Sequence, residues 1–220
     1  VSDLVIFGTG GFAREVHQIV LDQNAERARW NLLGFLDGNA DRHGTSVHEL
    51  PVLGDETWLA GHPAVSVVVA IGATPAKLRV VRAIERAGGA RFVSLVHPRA
   101  WIGNGIELGP GCVVCADVLV TTDVRVGRHV ILNLACTVGH DATLADYVTV
   151  APGVNISGSV SVGEGCDLGT GSSVIQGVRI GHWCVIGAGA VLLHDVAPNV
   201  TAVGVPARPI KTRPEGWQLQ

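Results

Sequence analysis

The chain has 220 residues, 47% of them hydrophobic and 16% charged, with a net charge of −3. That balance excludes a disordered chain and removes the basic stripe on which nucleic-acid binding rests, so no nucleic-acid partner is expected. No apolar run approaches the ~20 residues of a bilayer span, and the first residues read as a strand and not as a signal peptide, so a cytoplasmic protein without a membrane partner is expected.

Leu4-Val5-Ile6-Phe7 is a short apolar run that leads into Gly8-Thr9-Gly10-Gly11-Phe12-Ala13-Arg14-Glu15, followed by helical spacing through Val16, Ile19 and Val20. Gly8, Gly10 and Ala13 fit the G-x-G-x-x-G/A turn, in which glycines let a phosphate approach the backbone at a helix N-terminus. The same glycines also serve any tight strand-to-helix turn, and the motif alone does not separate the two. A second strand, Leu32–Leu36, ends at Asp37-Gly38, where an acidic side chain is placed to bind a sugar hydroxyl. A third, Val65–Ile71, ends at Gly72. Pro75–Ala87 reads as helix, and Phe92–Val96 as one further strand before His97-Pro98. Alternating strands and helices predict a small Rossmann-like α/β domain over residues 1–98, with ligands at the carboxyl ends of its strands. Fewer than 100 residues leave room for a half Rossmann unit, better suited to a nucleotide-sugar than to the full dinucleotide of an NAD-dependent dehydrogenase.

From Ile102 to Leu192 every sixth residue is Ile, Leu or Val, without a miss over sixteen positions. This is the period of a parallel β-helix built from hexapeptides, three to a coil, and it assigns residues 99–220 to slightly more than five coils and a tail. The residue four places after each anchor is mostly small or β-branched and completes a narrow core. Cys112, Cys136, Cys166 and Cys184 share that inward phase and read as core residues. Cys115 falls outside it, and one C-x-x-C with Cys112 is weak evidence for a metal, so none is expected.

Among His129, His140, His182 and His194, His140 stands out by its neighbours. Asn133 lies one repeat earlier, Asp141 follows it, and Asn155-Ile156-Ser157-Gly158 returns one coil later, so stacking brings a histidine beside an exposed backbone N–H. That pairing suits acyl transfer to an amine. An ammonium group must lose a proton before it attacks a thioester, which a histidine accepts, and the Gly158 N–H is a donor for the tetrahedral oxyanion. No Ser or Cys nucleophile is required.

The run Asn133 to Asp141, the run Ala151 to Gly158, the tail Gly204-Val-Pro-Ala-Arg-Pro-Ile210 and the N-terminal Gly8–Glu15 turn together resemble the hexapeptide sugar acyltransferases. The resemblance covers almost the whole chain. It is strongest to the bacterial branch that N-acetylates nucleotide-linked 4-amino-4,6-dideoxy sugars, including perosamine and bacillosamine pathway enzymes. It implies a left-handed β-helix, homotrimers with active sites between subunits, acetyl-CoA held between neighbouring solenoids, and a nucleotide-linked amino sugar gripped by the N-terminal domain. Carried over by position, His140 is the catalytic base, Asp141 its carboxylate partner and Gly158 the amide facing the acetyl carbonyl. Gly10, Gly11, Phe12, Asp37, Gly38 and Gly72 match nucleotide-sugar contacts. Asn133, Thr149, Thr170 and Ala188 match positions near CoA, while Arg208 and Lys211 are partners for its phosphates on charge grounds. Some relatives carry a second histidine where Thr149 stands.

A sugar O-acetyltransferase of the sialic-acid type shares this two-domain plan and is the alternative, with a non-catalytic scaffold behind it. A γ-type carbonic anhydrase is disfavoured by the histidine spacings, and a nucleotidyltransferase by the short first domain. The resemblance favours GDP-perosamine, then a UDP-linked 4-amino sugar, with O-antigen as one destination.

Overall fold

The computed structural model describes residues 1–88 and 90–219. Its first unit is a four-stranded parallel sheet. The strand β1 (Ser2–Phe7) sits between β2 (Trp30–Leu36) and Ser66–Val69, and Arg91–Phe92 pairs at the far side of the latter. Residues Leu4 to Phe7 are buried, as expected of a strand covered on both faces. The helix α1 (Gly11–Glu26) follows β1 and turns Ala13, Val16, Ile19 and Val20 inward. The helix α2 (Thr74–Arg86) has proline in its first turn and buries Leu78, Val81 and Ile84 as one stripe.

The second unit is a β-solenoid in which each anchor residue closes a two-residue strand, from Trp101–Ile102 to Val191–Leu192. Residues 18 apart pair in parallel, as Thr137↔Asn155 and Thr149↔Asp167 do, so three hexapeptides make one coil. The strands stack into three faces. The first contains Val113–Val114, Ile131–Leu132, Thr149–Val150 and Asp167–Leu168, the second Thr137–Val138 and Asn155–Ile156, and the third Thr143–Leu144 and Ser161–Val162. From Val114 to Leu192 the anchors fill the interior together with most of the positions four residues on, including Cys112, Cys136, Cys166 and Cys184, whereas the first two anchors, Ile102 and Leu108, are exposed. Burial pushes the Cys112 thiol up to about 11 and the Cys136 thiol up to about 12, which leaves both inert as nucleophiles near neutral pH.

The segment expected as one strand, Phe92–Val96, is divided between the two units. Arg91–Phe92 completes the N-terminal sheet, whereas Leu95–Val96 pairs with Val113–Val114 as the first rung of the solenoid. Ser94 satisfies the backbone at the crossing, its hydroxyl donating to Gly109 O at 2.8 Å and accepting from Cys112 N at 3.0 Å. The solenoid's first face is also longer than the repeat predicted, because Val200–Val203 adds beyond Val185–Ile186 and Arg208–Thr212 then turns back antiparallel.

The N-terminal unit docks on that first face. Gln23 Nε2 donates to Val96 O at 2.7 Å, Arg128 of the solenoid donates to Glu85 of α2 at 2.9 Å, and Tyr147 and Trp183 join the apolar cluster of Leu78, Val81 and Ile84.

Candidate functional site

Two constellations emerge, one in each unit. In the first, Gly8 takes a φ of +119° and leaves no room for a side chain, because a Cβ there would lie 2.9 Å from Ala70 O. The turn thus lets β1 pass close to the end of Ser66–Val69 and releases the chain into α1. Gly10 is the N-cap of α1 and offers no side-chain cap, and a Cβ there would meet nothing within 4 Å. The first helical N–H groups therefore face an open space suited to an anion. Across from them Thr9 Oγ1 donates to Asp37 Oδ2 at 2.5 Å, and Asn39 N donates to Asp37 Oδ1 at 2.9 Å, fixing the carboxylate at the end of β2. The resulting cleft, of about 470 Å³, is lined in part by Gly10, Gly11, Phe12, Asp37, Gly38 and Gly72. All six expected substrate contacts thus share one cavity. The Thr9–Asp37 bond was not read from the sequence, although the spacing of a turn residue and a strand-end acid in parallel neighbours was its visible sign.

In the second constellation, the buried anchor Val138 places Gly139 and His140 at the corner between the second and third faces. Coil stacking there is close: a Cβ on Gly139 would lie 2.6 Å from Gly158 N. Asp141 takes a φ of +59° and donates its N–H to Thr122 O at 3.2 Å, a conformation that aspartate tolerates better than most residues. Its carboxylate then reaches His140 Nδ1 at 2.7 Å, which places the Nδ1 proton on that side and leaves Nε2 as the free base. The imidazole lies over Gly158 one coil later, where a Cβ would come within 2.6 Å of both Nε2 and Cε1. Gly158 is buried, and among the described residues its N–H donates to no acceptor. A base and an unpartnered amide donor are therefore held together on a half-exposed corner.

The remaining candidates lie elsewhere. Thr170 and Ala188 stack on the corner between the first and second faces, both exposed, with Gly189 N donating to Thr170 O at 2.8 Å. Their own N–H groups have no acceptor among the described residues. Asn133 is turned onto its own backbone, where Oδ1 accepts from Leu134 N at 2.7 Å. Arg208 and Lys211 are exposed on the terminal antiparallel strand. Thr149 faces the N-terminal unit, with its hydroxyl 2.9 Å from Lys77 Nζ and 3.2 Å from Gly72 O. His129 is buried between Phe92 and Tyr147, at ring distances of 4.6 and 5.5 Å, and burial pushes its pKa down to about 3. It is a packing residue. Among the described residues, no group of three or more His, Cys, Asp or Glu is placed to hold a metal, and no helix is long and apolar enough to cross a membrane.

Topology sets the two constellations apart. The cleft belongs to the unit docked on the first face, whereas the His140 corner joins the second and third faces and lies across the prism.

Comparison with known proteins covers both units. Residues 3–84 match the family described as PglD N-terminal domain, and residues 99–122 and 159–194 the hexapeptide repeat of succinyl-transferase. A GDP-perosamine N-acetyltransferase of Escherichia coli O157:H7 is 30% identical over 95% of this chain and 96% of that protein. PerB from Caulobacter crescentus, crystallised with CoA and GDP-perosamine, superposes with a TM-score of 0.86 at 31% identity, over 96% of this chain and 98% of that one. The acetyltransferase domain of PglB from Neisseria gonorrhoeae, in complex with acetyl coenzyme A, gives 0.82 at 30% identity over 94% and 98%.

Proposed function

The chain belongs to the PglD-type hexapeptide-repeat acetyltransferases, and on that premise we propose that it transfers acetyl from acetyl-CoA to the C4 amine of a nucleotide-linked 4-amino-4,6-dideoxy sugar. The observation that carries the reading is the His140–Asp141 pair, 2.7 Å apart, lying on the unpartnered Gly158 N–H. GDP-perosamine is the favoured acceptor, because the relative matched over 95% of this chain and the PerB complex both carry that name.

The cleft holds the nucleotide, with its phosphates at the open N-terminus of α1 and Asp37 toward the sugar side. The amine loses a proton to His140 Nε2 as it attacks the thioester carbonyl, while Asp141 keeps the Nδ1 proton in place. The carbonyl oxygen, now negative, takes the Gly158 N–H. Collapse of the tetrahedral adduct breaks the C–S bond, and the imidazolium returns the proton to the departing CoA thiolate. Holding amine and thioester together supplies most of the acceleration, and proton removal adds about 10²–10⁴-fold.

The cleft and His140 lie on different sides of one protomer, so a single chain does not close this site. A homotrimer does, with the cleft of one protomer facing the His140 corner of its neighbour and acetyl-CoA between the two solenoids. The free N–H groups of Thr170 and Ala188 suit the amide carbonyls of the pantetheine arm, and Arg208 and Lys211 suit its phosphates.

Release of CoA thiol from acetyl-CoA tests the reading with GDP-perosamine, a UDP-linked 4-amino-4,6-dideoxy sugar and their 4-hydroxy counterparts. Turnover with an amino sugar alone is the expected result. Turnover confined to the hydroxy sugars moves the protein to the O-acetyltransferases, and none with any leaves a scaffold.

A further inference from the structure

Lys77 is 1% exposed, an unusual place for an ammonium group, and the chemistry above does not use it. It lies one turn after Thr74 on the face of α2 turned to the solenoid, and both side chains meet the adjacent rungs Thr149 and Asp167. Lys77 Nζ donates to Thr149 Oγ1 at 2.9 Å, and Thr149 Oγ1 lies 3.2 Å from Gly72 O, to which it donates. Thr74 Oγ1 donates to Asp167 Oδ1 at 2.6 Å and sits 3.0 Å from Thr149 Oγ1. A buried polar group is costly unless it is paired, so this cluster has one low-energy arrangement. Its outlet is Gly72, which lines the cleft opposite Gly8–Phe12.

We propose that Thr149 and Lys77 form a pin that fixes the Gly72 rim of the nucleotide-sugar cleft to the solenoid, making them positioning residues for the sugar nucleotide and not contacts for coenzyme A. The kinetic part of this inference rests on the acetyltransferase reading; the mechanical part does not. The hydroxyl of Thr149 already has an acceptor and a donor inside its own chain, which leaves little for a coenzyme. A cleft whose two walls come from different strand ends needs its free wall held, because a shift of about 1 Å in a bound substrate is enough to cost turnover.

Thr149→Val keeps the volume and removes both hydrogen bonds, whereas Thr149→Ser keeps the hydroxyl. Hydrogen exchange without any substrate is expected to quicken about tenfold in Thr149→Val at the hydrogen-bonded amides of Ala70 and Lys77, on either side of Gly72, and of Gly8, and to return to the wild-type pattern in Thr149→Ser. In steady-state kinetics Thr149→Val is expected to raise KM for the nucleotide sugar about tenfold and to leave KM for acetyl-CoA unchanged. Should Thr149→Val not fold, Lys77→Met fills the same space without the polar head and is expected to shift both readouts in the same direction. Unchanged exchange at those amides overturns the pin. A rise in KM for acetyl-CoA with an unchanged KM for the sugar also overturns it, placing Thr149 on the coenzyme. If the wild type acetylates no amino sugar, the acceptor assignment fails, and hydrogen exchange still decides the pin.

Discussion

In the proposed reaction His140 and Gly158 carry the chemistry, because a corner of the solenoid stacks one directly on the other. The histidine side chain is 53% exposed, so its removal costs little packing. His140→Asn is expected to lower kcat by about 10²–10⁴-fold with an unchanged melting temperature, read by thiol release and thermal unfolding side by side. Asp141→Asn is expected to cost less, since it disturbs the orientation of the imidazole and leaves the base present; an equal loss reverses the two roles. Gly158→Ala is the sharper probe. Its methyl group would arrive 2.6 Å from Nε2, and the ring, being the end of a mobile side chain, moves aside at little cost in stability. Loss of about 10²-fold in kcat in a protein that melts normally is the expected outcome, measured against the wild type, because the displaced imidazole no longer meets the amine; full activity contradicts a base held over Gly158.

Among the elements, α2 does work that its sequence conceals. Burial lowers the Lys77 pKa from 10.5 to about 7, so between those values the unfolded chain holds a proton that the folded chain lacks, and stability rises with pH. Wild type is therefore expected to gain melting temperature relative to Lys77→Met from about pH 7 to pH 10, and parallel curves contradict a buried, titrating Lys77. Asp167, Cys112 and His129 interact with the charge on Lys77, Arg213 acts in turn on Asp167, and all four persist in the variant. The solenoid was legible because its period is strict and local: each anchor from Ile102 to Leu192 ends a strand. The division of Phe92–Val96 was not, since both halves are apolar and only pairing with Ser66–Val67 or Val113–Val114 distinguishes them. The glycine turn, Asp37 and Gly72 were legible because parallel strands bring their carboxyl ends to one edge. Lys77 was hidden, because a helical lysine ordinarily faces water, and nothing local reveals that Thr149 and Asp167 stand opposite it.

At the scale of the molecule, the unit that holds the glycine-turn cleft docks on one face of a prism whose His140 corner joins the other two. On the proposed function, the active site is then a property of a homotrimer, in which each protomer gives half of it to a neighbour. Subunit complementation tests this most directly. A His140→Asn chain, with an intact cleft, and an Asp37→Ala chain, with an intact corner, are each expected to be nearly inactive alone. Mixed by unfolding and refolding together, they form hybrid oligomers in which an intact cleft faces an intact His140, and thiol release with the amino sugar should return to a sizeable fraction of the wild-type rate. Hybrids as inactive as their parents would mean that cleft and base act within one chain, and would contradict a site assembled between protomers.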